Sequence, residues 1–99
     1  MLNQPPNRRP VVAYGTWLYD ATAPLPVWVV KLAFDYWYSL GEADGQLEPG
    51  EQPKPLGPDG CLYYASFGED RVDSSGFATV QEAKSAAQER VPSPIVWTD

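Results

Sequence analysis

Apolar and polar residues alternate along residues 27–40, and that alternation organises the chain. Read at period two, Trp28, Val30, Leu32, Phe34, Tyr36, Tyr38 and Leu40 fall on one face, and Val27, Val29, Lys31, Ala33, Asp35, Trp37 and Ser39 on the other. Successive side chains of a strand point to opposite sides, so the pattern predicts one long strand with a buried face and Trp37 on the wetter one. Val11–Tyr19 alternates similarly, with Tyr14, Trp17 and Tyr19, and predicts a first strand. Pro24 and Pro26 lack a backbone donor and mark 21–26 as a turn, making 11–19 and 27–40 a hairpin.

Residues 41–60 hold five glycines, four prolines and five acids, which predicts a single long loop. Alternation resumes at 61–67, with Cys61, Tyr63, Ala65 and Phe67 on one side and Leu62, Tyr64 and Ser66 on the other. A polar turn over 68–76 follows this third strand. Thr79-Val80-Gln81-Glu82 spells a capping box, in which the threonine oxygen accepts from the Glu82 N–H and the glutamate reaches back. Val80, Ala83, Ala87 and Val91 then form a narrow apolar stripe at helical spacing, and Pro92 stops the helix. Its alanines predict a close approach to the sheet. Residues 95–97 read as a last short strand; were it to lie parallel to 61–67, the helical crossover would be right-handed.

The expected architecture is an α+β domain over 11–99, preceded by a flexible arm at 1–10. A mainly antiparallel sheet of about four strands carries one helix on its buried face, in the order strand, strand, long loop, strand, helix, strand.

Composition narrows the chemistry more than any motif does. The 99 residues include no histidine and one cysteine. Nucleophile pairs of serine or cysteine with histidine are thereby excluded, as are an internal disulfide and a cysteine-based zinc site. Cys61 reads as a small buried hydrophobe. Gly57, Gly60 and Gly68 are not followed by the Gly-Lys-Ser/Thr of a phosphate loop. The expectation is a protein that is not an enzyme and carries neither cofactor nor metal.

Charge is unevenly placed. Residues 1–34 carry a net +2, residues 35–73 a net −7 and residues 74–99 a net −1. Direct binding to a nucleic-acid backbone needs a basic footprint and is disfavoured, whereas a basic protein surface is the natural complement. Glu69, Asp70 and Asp73, with Asp59, offer oxygen ligands for a divalent cation, but their spacing matches no EF-hand loop and reads as a solvated turn.

No run of ~20 apolar residues suits a membrane span. Arg8-Arg9, the short apolar stretch at 11–13 and Ala21-Thr22-Ala23 trace the outline of a signal peptide. Tyr14, Trp17 and Tyr19 fit a strand better, and Asp20 spoils the cleavage region. With an unpaired cysteine, the expected location is cytoplasmic.

Four tryptophans and six tyrosines are many for this length. Most build the core, but Trp37 and Tyr64 are expected on an open sheet face. Around them Glu42, Asp44, Glu48, Glu51, Asp59, Glu69, Asp70 and Asp73 would form an acidic rim. Exposed aromatics rimmed by charge suit a protein-binding surface. Stacking of single-stranded bases on the same face is opposed by the charge.

The segment Gly76-Phe77-Ala78-Thr79-Val80-Gln81-Glu82-Ala83-Lys84 resembles the strand-to-helix joint of many small accessory proteins of bacteria and their phages. As a short, acidic, histidine-free chain, the protein also resembles in type the phage-encoded inhibitors, anti-CRISPR proteins and other nucleic-acid mimics among them. That resemblance implies a partner whose basic surface binds nucleic acid. The alternative readings are an assembly subunit that self-associates, as a homodimer for instance, and a small carboxylate-based metal binder or enzyme.

Overall fold

The computed structural model describes residues 9–98. Its elements run β1 (Val11–Tyr19), β2 (Ala23–Leu32), α1 (Tyr36–Ala43), β3 (Leu62–Ser66), α2 (Val80–Gln88) and β4 (Val96–Trp97). The strands form one four-stranded antiparallel sheet in the order β3-β2-β1-β4. The fold is α+β, as the alternation implied. The last strand lies beside β1, at the far edge from β3, so no parallel crossover arises. Of the arm at 1–10, residues 1–8 lie outside the described residues. The Pro10 carbonyl already accepts from Lys31 N–H, 3.0 Å away.

The long strand expected over 27–40 stops at Leu32, and Tyr36–Ala43 is a helix. Asp35 supplies the reason: its side chain accepts from Tyr38 N–H and caps the first turn. The turn expected over 21–26 is shorter too. Asp20 and Ala21 both take positive φ, and Thr22 N–H donates to Tyr19 O, a tight hairpin turn with β2 starting at Ala23.

Pro24 and Pro26 therefore sit inside β2. Leu18 bonds outward through N–H and C=O to the Ser93 hydroxyl, so Leu18 and Pro24 form a pair without mutual hydrogen bonds. The backbone of Pro24, and two residues on that of Pro26, must then point away from β1. β3 pairs with β2 only from Trp28 onward. Among the described residues, the two prolines thus occupy an uncovered edge where a donor would face outward, and proline has none.

Both sheet faces carry a core. Ala83 and Ala87, each fully buried, press α2 against Ala13, Val27, Val29, Tyr63 and Ala65, and the alanine stripe does bring the helix close. Gly15 in β1 belongs to this tight side: a Cβ there would lie 2.8 Å from both Ile95 and Trp97 side chains. Thr79 Oγ1 accepts from Glu82 N–H, while the Glu82 carboxylate meets the threonine hydroxyl rather than its backbone. On the opposite face, Trp28, Val30, Leu62 and Tyr64 pack with Val72 and the half-buried Tyr14 and Tyr36. Among the described residues, this second face is closed only over its β3 half. Toward the hairpin tip, Leu18, Pro24 and Val96 lie exposed on the same side as the half-buried Thr16 and Pro26.

Candidate partner-binding surface

β2 ends at Leu32, and the capped helix α1 turns the following aromatics outward. Phe34, Trp37 and Leu40 are each at least 40% exposed. Trp37 is held while exposed: its indole N–H donates to Ser74 O at 2.8 Å, and its ring meets Tyr36 edge-on at 4.9 Å. Tyr36 points the other way, into the core, beneath the Arg9 guanidinium 5.0 Å from its ring centre. The Tyr64 hydroxyl locks this arrangement, accepting from Tyr36 N–H at 2.8 Å and donating to Phe34 O at 3.2 Å.

That role corrects the expectation for Tyr64, which is fully buried. β3 has no open face, because α2 covers one side and the start of α1 with Val72 covers the other. Burial also pushes the Tyr64 hydroxyl's pKa up. Trp37 is exposed as expected, though from a helix rather than a strand.

The segment 44–61 is irregular but tied down along its length. Glu51 Oε1 accepts from Glu48 N–H at 3.0 Å. Asp35 Oδ2 accepts from Lys54 N–H at 2.7 Å, and the Lys54 ammonium donates to Gly76 O at 2.8 Å. Gly57 N–H donates to Cys61 O where the chain passes so close to Ala78 that a Cβ would lie 2.6 Å from its carbonyl oxygen. These ties set residues 53–56 beside α1 and leave a groove of about 420 Å³, lined by Phe34, Tyr38, Glu42, Pro53, Pro55 and Leu56 among others.

The acids expected to rim the aromatics do not form one rim. Glu42, Asp44, Glu48 and Glu51 are exposed on α1 and just after it, beside Trp37 and Leu40 in the chain. Glu69 and Asp70 are exposed in a separate turn, with Asp70 3.8 Å from Arg9. Asp73 is structural: Oδ2 accepts from Phe67 N–H at 2.8 Å, and Oδ1 pairs with Arg71 at 2.6 Å. Asp59 accepts from Cys61 N–H and from the Tyr63 hydroxyl. Among the described residues, no three histidine, cysteine, aspartate or glutamate side chains gather closely enough to hold a metal ion.

The hydrogen bond from Tyr63 holds the Asp59 carboxyl below its ordinary range, and the same bond pushes the Tyr63 hydroxyl up to about 12. The stability tied to Tyr63 is therefore complete below its unfolded value of 10 and is lost as pH rises toward 12. In denaturant titrations, the advantage of the wild type over Tyr63→Phe should hold steady from neutral pH to pH 10, shrink between pH 10 and 12, and shrink also at acid pH as Asp59 takes up a proton. A pH-independent difference would show that the pair contributes nothing specific.

Sequence reasoning missed Phe34, Tyr38, Leu40 and Leu56 as surface groups. The available signal was Asp35, a capping residue placed ahead of Tyr36 and Leu40 at helical spacing. Among the described residues, no helix is long and apolar enough to cross a membrane. No family model matches the chain, and neither a curated protein nor a solved structure does.

Proposed function

We propose that the protein is a non-enzymatic binding module that docks on a basic surface of a partner protein. A nucleic-acid-binding enzyme or complex is the kind of partner that offers one. The observation that carries this reading is the coincidence, on α1 and the segments flanking it, of exposed Phe34, Trp37 and Leu40 with exposed Glu42, Asp44, Glu48 and Glu51. Aromatic and aliphatic groups supply contact energy when desolvated, and carboxylates competing with phosphates supply orientation and rate. The absence of histidine and the lone Cys61, half-buried just before β3, support binding rather than catalysis.

The test uses Leu40→Ala/Leu56→Ala, which trims two exposed side chains and leaves the core intact. Tagged wild type and variant are compared by affinity capture from nuclease-treated lysate with salt elution, and the recovered protein is then titrated against both. One basic protein, released by moderate salt and bound about tenfold more weakly by the variant, is the expected result. Equal binding by the variant, or no nuclease-resistant partner for the wild type, would sink the reading.

A further inference from the structure

The groove between α1 and residues 53–56 has a composition that fits one kind of side chain. Its walls are flat and apolar: Phe34, Pro53, Pro55 and Leu56, with Leu56 42% exposed. Three charged groups lie along it, and two are already committed. Asp35 spends one oxygen on Tyr38 N–H and the other on Lys54 N–H. The Lys54 ammonium is turned to Gly76 O and stands 5.9 Å from the centre of the Phe77 ring. Glu42 remains. Its carboxylate is exposed and makes no hydrogen bond or ion pair among the described residues.

We infer that this groove takes an arginine side chain of the partner. The arginine stem would lie along the proline and leucine walls, and the guanidinium would stack against the Phe34 or Tyr38 ring and pair with Glu42. Arginine fits better than lysine because its planar, weakly hydrated head stacks on rings and bonds a carboxylate with two parallel donors. An ammonium is more strongly hydrated and would lose more water for fewer bonds. Because Asp35 ties the 53–56 segment to the helix cap, the groove is formed before the ligand arrives, which lowers the cost of binding.

This inference rests on the partner-binding reading and can fail separately from it. The probes are three blocked tripeptides, glycine-X-glycine with X as arginine, lysine or citrulline, titrated at millimolar concentration while backbone amide shifts are followed by NMR. The arginine peptide should give saturable shifts confined to α1 and 53–56, with lysine about fivefold weaker and citrulline without effect. Glu42→Gln should weaken the arginine peptide about tenfold with an unchanged melting temperature. Shifts of equal size for citrulline, an unaffected Glu42→Gln, or no saturable shift would each overturn the assignment. If the captured partner still binds Glu42→Gln at full strength while losing Leu40→Ala/Leu56→Ala, the docking surface stands and the arginine groove falls.

Discussion

Replacing Trp28 by alanine should destabilise the fold by about 3–5 kcal/mol, the largest loss expected from truncating one side chain here. Trp28 is 1% exposed and packs with Val30, Leu62, Tyr64 and Val72, its ring centre 6.1 Å from that of Tyr14. This cluster joins three parts of the chain: the β1–β2 hairpin, β3, and the segment returning after β3. A cavity there loosens all of them together. Domains of this size have about 5–15 kcal/mol in total, so a large share would go. Trp28→Phe should behave differently. The indole N–H is buried with no acceptor among the described residues, and deleting it removes a desolvation cost that offsets part of the lost volume. A change within about 2 kcal/mol is expected for phenylalanine. Urea midpoints for both variants provide the check. Similar losses for alanine and phenylalanine would show that removing the buried N–H offsets none of the lost volume.

The second large effect concerns association. Changing Glu42, Asp44 and Glu48 to lysine should slow encounter with the basic partner about tenfold or more at low salt, and should flatten the salt dependence of the rate. These three positions are exposed, and none of their carboxylates holds the fold together. The same reversal at Glu69, Asp70 and Asp73 would confuse the outcome, because Asp73 secures Phe67 N–H at the end of β3. Stopped-flow association across a salt series decides the matter. An association rate that ignores the triple reversal would confine the acids to solubility.

Much of the sheet was legible because β1, β2 and β3 are runs of β-branched and aromatic residues that send alternate side chains to opposite faces. The capping box and alanine stripe of α2 were legible for the same kind of reason, each letter having one local job. Residues 33–43 were not. Their apolar spacing suits a strand and a short helix equally, and only the Asp35 cap and contacts with distant Tyr64 and Ser74 decide between them. Tyr64 was misplaced for a related reason. Alternation says that a side chain faces one side, but whether that side is covered depends on elements far away in sequence. The prolines of β2 misled in the opposite direction. Proline signals a turn unless the position lies on a sheet edge with no neighbour, and the edge exists only because β3 is short.

The candidate surface was half legible. Trp37 and the acids of 42–51 could be picked out as unusual for a core. That Leu56 and Pro55 would stand opposite Phe34 could not, since Lys54 reaches Asp35 across nineteen positions of sequence.

Pro24 and Pro26 bear on a quantity that no measurement on a dilute sample would register. The ring of Pro24 is exposed and that of Pro26 half-buried, so neither belongs to the buried core of one molecule. What a replacement would change is how copies treat one another: each new N–H is an invitation to a passing strand, accepted more often the more copies there are. The two positions are answerable to concentration, and the ceiling they set is on how much of this protein can be kept in solution.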